Sequence, residues 1–193
     1  ESRMISRPLH LLDCCIISDG GGAVIVTSLE RANDLRSQPV SLLGCGEAVQ
    51  HQGVGDSDLL TIAAKQSGST AMKMAGIKHA DIDLAMIYDS FTITVLATLE
   101  NLGFCEPGGG GDFVGDGGIA IGGVLPVNPD GGGLSSNHPG MRGIFLVIEA
   151  VKQLRGECGE RQVKDARVAL AHGTGGTIGD KHSGATLILG VDR

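Results

Sequence analysis

The chain has no tryptophan, one tyrosine (Tyr88) and four phenylalanines among its 193 residues. With no aromatic platform for bases and no cluster of Lys or Arg, the sequence argues against nucleic acid as a partner. The core must then be built from Val, Ile, Leu, Ala and Met. No apolar run approaches the roughly 18 residues needed to span a bilayer. No signal-peptide layout opens the chain, so a cytoplasmic protein is expected. The five cysteines (14, 15, 45, 105 and 158) have no metal-ligand spacing; no metal site is expected, and the thiols read as reduced. Walker and G-x-S-x-G patterns are missing, and no G-x-G-x-x-G lies between a clear strand and a helix.

Glycine is abundant instead: 32 residues, roughly one in six, against a usual share of about 7%. No G-x-y period makes it collagen-like, and 41% hydrophobic residues exclude disorder. A net charge of −7 describes a mildly acidic, soluble surface.

Along the chain, GAVIVTS (22–28) reads as a buried strand and PVSLLGCGEAVQ (39–50) as another. The stretch 56–77 carries a helical stripe through Leu59, Ile62, Ala63, Met72 and Ala75. Asp56, Ser57 and Asp58 would cap it, Gly68 interrupts it and Gly76 stops it. LAMIYD (84–89) is a strand buried on both faces, and Ser90 is placed to cap a helix from Phe91 to about Asn101. Residues 108–133 become a glycine-rich loop shaped around a site. A helix follows over 141–154. ARVALAHG and SGATLILG then form an antiparallel hairpin, joined by a glycine turn through 173–184. The order predicts an α/β fold with helices on both faces of a mixed sheet.

Among the histidines, His10, His51, His79 and His182 read as solvated. His138 stands in GGGLSSNHPGMRG just ahead of a helix, where the dipole favours neutral imidazole able to take or donate a proton. His172 ends a buried strand, as Tyr88 and Asp89 end another, and α/β proteins place reacting groups at such ends.

These places carry a likeness. DIDLAMIYDSF, NPDGGGLSSNHPGMRG, HGTGGTIG and DGGGAVIVTS resemble, in order and over nearly the whole chain, four segments of the thiolase superfamily. YDSFT, GFCEPGGGGDFV and LPVNPDGGG look like its lipid-transfer, sterol-carrier-type branch, which includes acyl-CoA thiolases and bacterial steroid side-chain aldolases. The resemblance implies one half of a duplicated thiolase-like α/β fold. Residues 1–28 would end the N-terminal half and 29–193 would form the C-terminal domain. It implies an acyltransferase or carbon–carbon lyase of lipid metabolism acting on a coenzyme A thioester as substrate, with no covalently bound cofactor. His138 would activate a nucleophile and help form an oxyanion hole. Tyr88 would replace the residue that positions a water there, and His172 would replace the second cysteine as acid/base. Thr174 and Gly175 would lie at a second oxyanion site, and Asn137 stands where the family has Gly. The nucleophilic cysteine of complete members belongs to the other half, and none of the five here stands at its motif. With no Met at residue 1, the chain reads as the acid/base half of a longer enzyme, inactive alone. Its expected partners are the N-terminal half, a homodimer mate and a small OB-fold protein. The competing readings are a non-catalytic lipid or acyl-CoA binding or docking module, and two halves made as separate subunits.

Overall fold

The aliphatic stretches assemble one four-stranded mixed sheet in the computed structural model, which describes residues 2–51, 60–140, 142–177 and 181–191. A short antiparallel pair, β1 (Met4–Ser6) and β2 (Leu9–His10), stands apart. The sheet comprises β3 (Ser41–His51), β4 (Leu84–Ile87), β5 (Val168–Thr177) and β6 (Lys181–Gly190), in the spatial order β3-β6-β5-β4. β6 is antiparallel to β3 and β5, whereas β4 runs parallel to β5. The hairpin is the one expected, but its glycine segment is mostly strand. Gly173 pairs with Ala185 and Gly175 with Ser183, because a glycine keeps both ladder groups and weakens a strand without forbidding it. The turn itself, 178–180, lies outside the described residues.

The helices are α1 (Leu29–Asn33), α2 (Ala64–Ala75), α3 (Thr92–Leu102), α4 (Gly110–Val114), α5 (Gly132–Ser135) and α6 (Gly143–Arg155). Period-two alternation along the strands creates two cores. Ala85, Ile87, Leu170 and Ile188 pack with α2 and α3 on one face. Leu84, Met86, Ala169 and Leu189 pack with Leu146, Ala150 and Leu154 of α6 on the other. Helices thus cover both faces, as the sequence order predicts. Gly76, Gly103 and Gly156 end α2, α3 and α6 in left-handed conformation, the usual glycine stop.

Several local expectations fail for identifiable reasons. The proposed caps Asp56, Ser57 and Asp58 lie outside the described residues, and α2 begins only at Ala64. Gly68 does not interrupt α2; it is buried where Leu102 of α3 presses against the helix, in space a Cβ would occupy. Phe91 rather than Ser90 precedes α3, and the Ser90 hydroxyl lies 3.2 Å from that of Thr94. His182 is buried, not solvated: the ladder turns it inward, where Nδ1 accepts the Ala63 N–H (3.2 Å). GAVIVTS forms no strand among the described residues, and Ile25 and Val26 are 91% and 90% exposed. An apolar run becomes strand only where a neighbour completes its ladder. Its leading glycines rest on α6 instead, Gly20 beside Phe145 and Gly22 beside Ile144 and Ile148. The glycine loop also holds α4 and part of α5. Its residues 126–128 line the outer edge of β4, where Ala85 N–H donates to Pro126 O (2.9 Å) and Asn128 N–H to Ala85 O (3.0 Å).

Gly44 and Gly46 let β3 lie directly on α2, since a Cβ at Gly46 would strike the Ser67 carbonyl and the Thr70 side chain. Gly46→Ala is therefore expected to cost about 1–3 kcal/mol by overpacking. A lowered denaturant midpoint at unchanged slope would show it; an unchanged midpoint would contradict so close a contact.

Candidate active site

Tyr88 follows β4 directly, on the same face as Leu84 and Met86, and packs at the edge of the α6 core. His138 lies in the loop between α5 and α6. The fold brings their side chains together: Tyr88 Oη and His138 Nε2 are 2.7 Å apart, with ring centroids 5.2 Å apart and planes inclined by 51°. Both side chains are half-buried, so they retain access to a reacting molecule. Burial pushes the Tyr88 phenol above its ordinary value, helped by the neighbouring Cys15 and Asp89. It therefore stays protonated at neutral pH and can donate.

The loop carrying His138 is built around a buried carboxylate and a buried guanidinium. Asp89 accepts the N–H groups of Gly133 (2.7 Å) and Leu134 (3.2 Å). A Cβ at 132 would run into the Asp89 carboxylate, and one at 133 would crowd both that carboxylate and the His138 ring. Burial raises the Asp89 carboxyl above its usual range, although these N–H bonds and Arg142 pull it down. Arg142 is completely buried. It donates to Asp130 Oδ2 (2.8 Å) and to both Asn137 O (2.9 Å) and Oδ1 (2.7 Å), and its Nε lies 3.5 Å from Asp89 Oδ1. Asn128, at φ 47°, clamps Ile87 by exchanging two hydrogen bonds with its backbone (2.8 and 2.7 Å).

The N-terminal segment crosses this loop. Cys15 N–H donates to Ser90 O (3.0 Å), Ile16 N–H to Gly133 O (3.0 Å), and His138 N–H to Ser18 Oγ (2.8 Å). Burial, with Asp89 and Cys14 nearby, pushes the Cys15 thiol up. A raised thiol is not the activated thiolate of a nucleophilic cysteine.

His172 is not brought to this pair. It shares the α2 face of the sheet with Leu170, fully buried, and Tyr88 lies on the other face. Its Nδ1 is 2.8 Å from Thr186 Oγ1, which lies 3.0 Å from Ser67 Oγ, while its Nε2 has no partner. Gly184 makes room for the ring. Burial first, then the neighbouring His182, pushes His172 down to about 4, so it is neutral at physiological pH. Thr174 shares this side by alternation, whereas Gly173 and Gly175 face the side of Tyr88, with open space beside Gly173. Asn137 is occupied by Arg142 on both its oxygens. The sequence reading missed the supporting set of Asp130, Asn128 and Arg142. It could have placed His172 correctly, since alternation in VALAH already sets Leu170 and His172 on one side.

Among the described residues, no cluster of three His, Cys, Asp or Glu could hold a metal ion. No described helix is long and apolar enough to cross a membrane.

Residues 46–191 match the family described as thiolase C-terminal domain-like. The chain belongs to that family. It is 41% identical over 182 residues to an acetyl-CoA acetyltransferase of Methanothermobacter thermautotrophicus, covering 93% of this chain and 48% of the relative. It is 40% identical over 204 residues to a steroid side-chain-cleaving aldolase of Thermomonospora curvata, covering 100% of this chain and 49% of that protein. Rabbit (Oryctolagus cuniculus) sterol carrier protein 2 is 35% identical over 89% of this chain and 34% of its own. A solved structure titled Ltp2-ChsH2(DUF35) aldolase superposes with a TM-score of 0.88 at 39% identity, over all of this chain and 50% of the other. The chain thus spans about half the length of the first two curated relatives. The thiolase-like fold and the family are those the sequence motifs implied.

Proposed function

We propose that this chain supplies the acid/base part of a thiolase-family enzyme that makes or breaks a carbon–carbon bond beside a coenzyme A thioester. The observation that carries the reading is the 2.7 Å contact between Tyr88 Oη and His138 Nε2, two groups able to exchange a proton on an accessible face. In cleavage of a β-hydroxyacyl thioester, the His138 imidazole takes the hydroxyl proton and the bond to the α-carbon breaks. Its electron pair moves into the thioester as an enolate, and the hydroxyl carbon leaves as a carbonyl. Tyr88 then protonates the α-carbon. The imidazolium returns its proton to the phenolate across the same contact, so both groups are restored. Gly173 and Gly175 let the thioester approach the backbone of β5. His172 and Thr174, on the opposite face, and Asn137, bound to Arg142, serve this reading as support rather than as reacting groups.

The reading extends to the whole protein. Residues 1–28 would end an N-terminal half that supplies the missing nucleophile position, the full protein would be a homodimer, and a small OB-fold protein would dock beside it. Support comes from the relatives' greater length and from a related structure whose title names a DUF35 partner. The isolated chain would accordingly be inactive.

The test is an assay of the full-length protein for thiolytic and retro-aldol cleavage of acyl-CoA thioesters, with and without His138→Ala. Turnover that survives His138→Ala undiminished refutes the assigned role. Thioester binding with no turnover in the unmodified protein would move the reading to a lipid or acyl-CoA binding module.

A further inference from the structure

We infer that Arg142 is a positioning residue, which holds the two backbone segments carrying Tyr88 and His138 in register so that their side chains meet. The argument is one of connectivity. Asp89 follows Tyr88 and Asn137 precedes His138, and the one guanidinium reaches both. It lies 3.5 Å from Asp89 Oδ1 and bonds Asn137 O and Oδ1 at 2.9 and 2.7 Å. Its third arm, to Asp130 Oδ2 at 2.8 Å, reaches the turn just before α5. Asp89 in turn holds α5, which leads into the His138 loop, through Gly133 and Leu134 N–H. Without the guanidinium, the direct tethers on the His138 segment are Ser18 Oγ and the short turn of α5.

The residue type matters. A planar fork can hydrogen-bond acceptors on Asp130 and Asn137 while its Nε edge faces the Asp89 carboxylate, whereas a lysine ammonium is a point charge on a flexible stem. The side chain is also completely buried, with a carboxylate within 4 Å on two sides. Charge pairing alone is weak support for stability in such a place, and fixing geometry is the role the connectivity gives this one.

This inference rests on Tyr88 and His138 being the reacting pair, but its test does not use turnover. Tyr88 is the single tyrosine of this chain, which has no tryptophan. In the full-length protein, subtracting the Tyr88→Phe counterpart isolates its phenol from any other tyrosine. Arg142→Lys keeps the charge and removes the fork. The expected result is a folded protein whose Tyr88 titration, followed by phenolate absorbance, moves down toward the ordinary tyrosine value as the pair separates and water reaches the ring. His138→Ala should shift the titration in the same direction, and combining it with Arg142→Lys should add little. A folded Arg142→Lys protein with an unchanged Tyr88 titration, or additive shifts in the double variant, overturns the inference. Should Arg142→Lys not fold, Asn137→Ala and Asp130→Asn each remove one arm of the clamp. Smaller shifts of the same sign support the inference, and wild-type titrations in both folded variants overturn it.

Discussion

Tyr88→Phe is expected to slow carbon–carbon cleavage by the full-length enzyme about 10²–10⁴-fold, the usual share of a positioned acid or base. Phenylalanine fills the same space against the α6 core and loses only the hydroxyl that lies 2.7 Å from His138 Nε2. The loss should therefore appear in kcat more than in stability. Because the two groups pass one proton between them, their effects should not add: in a His138→Ala background, Tyr88→Phe should change the rate little further. The alkaline limb of the pH–rate profile gives a second check. Tyr88 must be protonated to donate, and its phenol is held above the ordinary tyrosine value by burial. Activity should persist to higher pH than a free tyrosine would allow, and that limb should vanish in the variant. Independent, multiplicative losses would show that no proton passes between the two residues.

Acid should unfold the protein through His172. Its imidazole is fully buried and neutral, with a folded value of about 4 against an ordinary 6.5. A histidine depressed in the folded state contributes stability above its unfolded pKa and loses it as pH falls toward the folded one. The difference corresponds to about 3 kcal/mol, lost progressively between pH 6.5 and pH 4. Burial depresses His182 in the same direction and adds to the loss. Asp89 opposes it in part, since a carboxyl raised by burial binds its proton more readily folded than unfolded. The comparison with His172→Asn isolates the imidazole. The variant should be less stable near neutrality, having lost the bond to Thr186, yet show a flatter decline across the same window. Parallel declines in denaturant unfolding would mean that His172 carries none of the acid sensitivity.

How far the sequence could be read depended on the distance over which each feature is decided. LAMIYD announced a strand because both of its faces are buried, and the Gly76 stop of α2 announced itself by position alone. GAVIVTS has the same composition as a strand and does not become one, because pairing is decided by a neighbour that its own residues do not encode. Tyr88 and His138 were separately legible as a strand end and a helix start, and the resemblance joined them. Their contact follows from a sheet parity and a loop path that no local pattern contains. Parity was available for His172 and would have set it on the other face. Arg142 was least legible of all. Burying an arginine needs the Asp89 carboxylate beside it and acceptors from Asp130 and Asn137, which come together only once the loop is closed.

The strip of residues 126–128 along β4 also decides what the sheet can do with other sheets. An edge whose peptide groups are already engaged by its own loop cannot template another strand. The outer edge of β3, at the far side, pairs with no strand among the described residues. Among the described residues the sheet is thus a plank with one planed margin and one raw one. Two such planks can join raw margin to raw margin, and the joint leaves only planed margins outside. Were copies to pair through the described strand edges, β3 is the one each would offer, and such pairing would close at two copies instead of running on into a fibre.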